Sequence, residues 1–163
     1  MDEITIRRVE GEDLIACHAI EARSFPCGEA ALTTSIEDRI EYFPEGFFVA
    51  EVDGLVVGQI NSGCTDKDDI SDEAFKTLEG HDPDGCNMVI FSLSVLPEYR
   101  NQSVGSMLLE RYVAESRKLG KSAVKLLCKD DLAHFYSRHG FRDDGPSACE
   151  HGGAEWRVMT LPL

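Results

Sequence analysis

Val89-Ile90-Phe91-Ser92-Leu93-Ser94-Val95, then Leu96-Pro97-Glu98-Tyr99-Arg100, then Asn101-Gln102-Ser103-Val104-Gly105-Ser106 is the stretch around which the chain is organised. Its first seven residues form a β-rich, largely apolar run and predict a buried strand. The small polar residues after Arg100 open an amphipathic helix that continues through Met107 to Lys118. A strand that passes into a helix through small residues gathers unpaired backbone N–H groups and the positive end of the helix dipole at one point. Such a point takes an anion.

Outward from this stretch, the chain alternates between strand and helix signals. Gly120-Lys121 ends the central helix, and Ala123 to Cys128 predicts another strand. Asp131 is expected to cap a helix carrying Leu132, Phe135 and Tyr136, which Gly140 terminates. A strand is expected from Phe141, a loop over 145–153 and a closing strand from Trp156 to Leu161. On the N-terminal side, Gly46 to Val52 and Leu55 to Ile60 flank Asp53-Gly54, which predicts an antiparallel hairpin. Ile4 to Val9 alternates as a half-buried strand does, and Leu14, Ile15, His18, Ala19 and Ala22 follow at helical spacing. Thr34-Ser35-Ile36-Glu37 has the spacing of a capping box and is expected to start a second helix ending near Tyr42. The loop between the two helices, with Pro26 and Gly28, would border a pocket. Asp66 to Glu73 is acidic but lacks the glycine and terminal glutamate of a calcium loop, and Ser71 is expected to cap a short helix reaching Leu78. This order predicts one α/β (α+β) domain over 1–163, a mixed, mostly antiparallel sheet flanked by helices.

Bulk composition narrows the function by exclusion. The 30 acidic and 16 basic residues give a formal net charge of -14, which argues against an extended nucleic-acid surface and suits either a cationic small substrate or simply solubility. No apolar run approaches membrane-spanning length and the N-terminus reads as a strand, so a soluble, cytoplasmic protein is expected, as a monomer or homodimer. The six cysteines are scattered, without the close pairs that a zinc or redox motif requires, and are expected to be mostly small buried hydrophobes. No metal site is expected.

The strand Val89 to Val95, the spacing Arg100-Asn101-Gln102-Ser103-Val104-Gly105, the following helix and the run Phe135-Tyr136-Ser137-Arg138-His139-Gly140-Phe141 occur together and in order. In this the chain resembles the GNAT superfamily of acyl-CoA-dependent N-acyltransferases over essentially its full length. Within that superfamily it is most similar to the arylalkylamine (serotonin-type) N-acetyltransferases, through Ile20-Glu21-Ala22-Arg23-Ser24-Phe25, Pro83, Gly85 and Leu109-Glu110-Arg111-Tyr112. The resemblance implies a GNAT-like sheet, acetyl-CoA as cofactor and a small-molecule primary amine as acceptor.

The roles it implies match physical need. The N–H groups of Gln102, Ser103, Val104, Gly105 and Ser106 would cradle the pyrophosphate of acetyl-CoA, and its pantetheine arm would run beside Leu93, Ser94 and Val95 like an added strand. Arg100 would contact phosphate, anchor the loop, or simply be solvated. Tyr136 would give a proton or hydrogen bond to the departing thiolate. Ser103 stands where the signature has its first glycine: at positive φ it would cost about 1–3 kcal/mol, whereas at ordinary helix-start angles it would be harmless and could serve as a cap.

Deprotonation of the acceptor has no obvious agent. Serotonin-type enzymes are expected to carry two histidines on the central strand, and the matching positions are Val89 and Phe91. The strand has no carboxylate either. An alkylamine of pKa about 10.4 is neutral only about 0.04% of the time at pH 7. The candidates for its base are Glu29 first, then Glu21, His81 and His134, or a water chain with no single base. Phe25, Phe47, Phe48 and Phe91 would form an aromatic acceptor pocket or belong to the core. Alternatives to the amine acetyltransferase are a non-catalytic acyl-CoA-binding module and a transferase acting on a protein N-terminus, a lysine or a polyamine.

Overall fold

A computed structural model describes residues 3–26, 28–147 and 155–163. Its strands are β1 (Ile4–Arg8), β2 (Phe48–Val52), β3 (Leu55–Thr65), β4 (Asn87–Val95), β5 (Ala123–Cys128), β6 (Arg142–Pro146) and β7 (Arg157–Pro162). They form one seven-stranded sheet in the order β1-β2-β3-β4-β5-β7-β6. Neighbours are antiparallel except β4 and β5, which run parallel. The helices are α1 (Leu14–Ser24), α2 (Thr33–Tyr42), α3 (Val104–Lys118) and α4 (Ala133–Arg138).

Two cores arise from the period-2 alternation of the strands. On one face, Val104, Leu108, Leu109 and Tyr112 of α3 pack on Phe48, Ala50, Ile60, Met88, Ile90 and Val124. On the other, Val49 joins Cys17 of α1 and Ile36 of α2. The hairpin forms as expected, with Asp53 (φ 50) and Gly54 (φ 80) both left-handed, as a tight turn between right-twisted strands requires.

The helix caps depart from expectation. α2 is already helical at Thr33, with an extended Leu32 before it and no side-chain cap, so the capping box at Thr34 and Glu37 does not form. Those residues lie inside the first turn rather than ahead of it. Ser71 is turned back onto Asp69, and Asp72 instead accepts from Ala74 N at 3.0 Å to cap a short turn over Glu73–Thr77. Asp131 lies within a 3-10 turn, Asp130–Leu132, that precedes α4, and so caps nothing. Strand β6 takes in Gly145 and Pro146, the start of the expected loop, whose part over 148–153 lies outside the described residues. Cys17, Cys64 and Cys128 are buried and Cys86 is exposed; Cys27 and Cys149 fall outside the described residues.

The feature that positions the site is a break in the middle of the sheet. Strand β4 pairs with β5 only from Asn87 to Ile90, against Ala123 to Leu126, and beyond that the two part. At the same level Ser62 of β3 lies opposite Ile90 while Asn61 lies opposite Ser92, which leaves Phe91 as an extra, bulged residue. The bulge resets the alternation. Ser94 turns toward α1, where its Oγ accepts from Gln59 Nε2 at 3.2 Å, and Leu93 and Val95 turn toward the α3 core.

Candidate active site

Below the break, the chain leaves β4 through a tightly held loop. Leu96 N donates to Val57 O at 2.8 Å, and Arg100 Nε reaches back to Val95 O at 3.2 Å. Of the three readings of Arg100, this contact is loop anchoring. The first helical bond of α3 is donated by Met107 to Ser103 O at 3.0 Å, so the N–H groups of Val104, Gly105 and Ser106 precede the ladder and are free for a ligand. A Cβ on Gly105 would project between Phe135 (3.8 Å) and Val95 (4.0 Å), space that glycine keeps open.

Ser103 has φ 67, with no side-chain cap bond. The ordinary helix-start geometry, which would have made serine harmless, is therefore not adopted, and the turn carries strain of about 1–3 kcal/mol. Ser103→Gly is expected to raise stability by about 0.5–1 kcal/mol, read from the midpoint of urea unfolding at constant slope.

An open cleft of about 800 Å³ occupies the break. It is lined by Leu93, Ser94, Val95, Arg100, Ser103, Val104, Gly105 and Ser106 on one side and by Lys129, Phe135, Tyr136 and Arg138 on the other. All the expected cofactor residues are therefore there except Gln102, whose side chain turns to Glu98 O at 3.4 Å. A smaller pocket of about 70 Å³ adjoins the cleft, sharing Phe25, Leu93, Leu132, Tyr136 and Trp156 with it. Phe75, Val89, Phe91, Glu21, Glu29, Asp72, Lys76 and Cys128 are among the rest of its wall.

Tyr136 lies on both cavities, wedged edge-on between Phe135 (5.1 Å) and Phe141 (5.6 Å). Burial pushes its hydroxyl above the ordinary phenol range, so it is a proton donor at neutral pH. Glu29 also reaches the inner pocket, but Lys129 Nζ pairs with its Oε1 at 2.6 Å and its side chain is only 4% exposed. Glu21 is buried: its Oε2 accepts a long bond from Ala31 N at 3.4 Å, and its Oε1 has no hydrogen-bond partner among the described residues. Such an orphaned buried oxygen costs about 1–3 kcal/mol, more when charged.

The fold does not bring the two histidine candidates to the pocket. His81 accepts from Cys64 N at 2.9 Å and stacks near Phe43, while His134 is exposed on α4. Phe25 and Phe91 line the pocket, whereas Phe47 and Phe48 are core.

Two features escaped the sequence reading. Cys128, at the end of β5 and eight residues before Tyr136, shares the inner pocket with it. Burial pushes its thiol up to about 12, which leaves roughly one part in 10⁵ as thiolate at neutral pH. It is a poor nucleophile. Arg39 of α2 is buried beneath Phe91, its guanidinium 4.7 Å from the ring centroid, and donates to Asn61 Oδ1 (2.9 Å) and Lys76 O (2.9 Å). Burial lowers its pKa to about 10, against the attraction of Glu21. The signal that could have found this network is Gln59 and Asn61, amide side chains flanking Ile60 just after the apolar run Leu55-Val56-Val57.

An open strand edge, free N–H groups at a helix start and a buried proton donor are what an acyl-CoA thioester requires, and the residues present fit it. The family described as Acetyltransferase (GNAT) domain matches residues 44–143. The chain belongs to the GNAT acetyltransferases. Serotonin N-acetyltransferase of Mesocricetus auratus is 31% identical over 99% of this GNAT chain and 73% of its own length. A protein of Bacillus subtilis named "Probable hydrolase YhcX" is 29% identical over 75% of this chain, which spans only 25% of that protein. Among solved structures, the GphF GNAT-like decarboxylase in complex with isobutyryl-CoA superposes with a TM-score of 0.85 at 23% identity, covering 97% of this chain and 98% of that one, a likeness of fold.

Proposed function

We propose that the protein is an N-acetyltransferase that moves the acetyl group of acetyl-CoA directly to a small primary amine. The parting of β4 and β5 directly above the first turn of α3 carries this reading. It surrounds one cleft with a free strand edge, a cradle of N–H groups and Tyr136. Acetyl-CoA supplies an acetyl group activated as a thioester. The N–H groups of Val104, Gly105 and Ser106 bind its pyrophosphate, and the edge of Leu93 to Val95 takes its pantetheine amides. Tyr136 delivers a proton where the thiolate leaves, and Cys128, held protonated, does not intercept the acetyl group.

Pocket size bears on the acceptor. The inner pocket, about 70 Å³, is less than half the roughly 150 Å³ of a cavity that takes benzene. It accepts a reacting amine end, not an aryl ring. An arylalkylamine, the acceptor class that the serotonin N-acetyltransferase relative suggests, would leave its ring at the mouth, by Phe25 and Trp156.

Incubation with acetyl-CoA and a panel of short alkylamines, arylalkylamines, polyamines and lysine peptides should release free thiol and yield acetylated small amines by mass spectrometry. Tight acetyl-CoA binding by calorimetry without transfer to any of them would replace this reading with a non-catalytic acyl-CoA module.

A further inference from the structure

We propose that Glu21 is the group that receives the acceptor's ammonium and takes its proton. The assignment rests on the acetyltransferase reading and adds to it the base that β4 does not supply. Glu21 lines the inner pocket from α1, is 2% exposed, and among the described residues holds its Oε1 without a hydrogen-bond partner. A carboxylate kept dry with an idle oxygen is matched by a ligand that brings N–H donors, and an ammonium brings three. Of the other carboxylates on the pocket wall, Glu29 is engaged by Lys129, and Asp72 is exposed and accepts from Ala74 N.

The surroundings suit the task. Charged or titratable groups around Glu21 are Arg39 from α2, Cys17 from α1, Glu29 from the following loop, Lys76 and Asp72 from the turn before β4, and Tyr136 with Cys128 across the pocket. Arg39 lies beyond ion-pairing distance and spends its N–H groups on Asn61 and Lys76 carbonyl oxygens, so it offsets the buried negative charge without occupying Oε1. Phe25, Phe75 and Phe91 exclude bulk water from the same pocket.

The step balances simply. One N–H bond of the ammonium breaks and its proton moves to Oε1, which converts carboxylate to carboxylic acid. The nitrogen keeps the electron pair that will form the new C–N bond. Water in the adjoining cleft then takes the proton and returns the carboxylate.

The experiment compares wild type with Glu21→Gln and Glu21→Asp on two acceptors, an ordinary alkylamine and a fluorinated alkylamine that is largely uncharged at neutral pH. Glu21→Gln should lower kcat/KM for the ordinary amine by about 10²- to 10⁴-fold and for the uncharged amine by less than about 10-fold. Its rate with the ordinary amine should climb tenfold per pH unit as the free base becomes available, and Glu21→Asp should restore part of it. Acetyl-CoA affinity by calorimetry should not change. An equal loss on both acceptors, or no loss on either, would overturn the assignment while leaving the transferase intact. Wild-type protein that acetylates no amine overturns the transferase reading itself, and this assignment with it.

Discussion

Tyr136→Phe is expected to lower kcat by about 10²- to 10⁴-fold while acetyl-CoA affinity stays unchanged. The variant removes one oxygen and keeps the ring that packs against Phe135 and Phe141, so the fold should lose less than about 1 kcal/mol. The effect is the size expected for losing a positioned general acid. The sign of the pH dependence follows from burial, which disfavours the phenolate and raises the Tyr136 pKa. The wild type should keep its proton donor across neutral pH and lose it only on the alkaline side, beyond the ordinary phenol range of about 10. Steady-state kinetics with thermal melts on both proteins checks this. An unchanged kcat would remove Tyr136 from the mechanism.

The second large effect concerns stability. Gly85→Ala is expected to destabilise the fold by about 3 kcal/mol, near the upper end for overpacking. A Cβ at Gly85 would lie 2.7–2.8 Å from the backbone of Thr65, at the end of β3. Backbone cannot swing aside as a side-chain tip can. Thr65 pairs with Asn87 at the start of β4, and Gly85 N donates to Asp82 O in the turn leading there, so relief would have to deform that junction. For a chain of this size the change corresponds to a Tm lower by roughly 6–12 °C. A Tm within 2 °C of wild type would show that the turn relaxes freely.

The sequence was legible where local chemistry and tertiary packing agree. Asp53-Gly54 announced its hairpin, Gly120 and Gly140 ended their helices at positive φ, and the apolar run into Val104-Gly105 marked the cradle. It was misleading where side-chain oxygens seemed to announce caps. Thr34, Ser71 and Asp131 each have the right chemistry, and packing moved each helix start by a residue or two, beyond their reach. The bulge at Phe91 leaves no mark, because Val89 to Val95 reads the same with or without it. Nor does periodicity show that Arg39 is buried or that Cys128 and Tyr136 line one pocket. Glu29 and Glu21 were both visible as carboxylates. Which one is engaged depends on Lys129, a hundred residues further on.

The short pairing of β4 with β5 also makes the sheet two panels joined at a hinge. One panel is β1 to β4, the other β5 with β7 and β6; within the sheet they meet along Asn87–Ile90 against Ala123–Leu126, extended by Ser122 N to Cys86 O at 2.8 Å. A strand-like ligand in the opening would lengthen that seam and tie both panels through its own backbone-like amides. Occupancy then adds to the folding free energy, by about 2.7 kcal/mol at a hundredfold excess over Kd. With acetyl-CoA in place, the seam between β4 and β5 would continue past Ile90 along the length of the break.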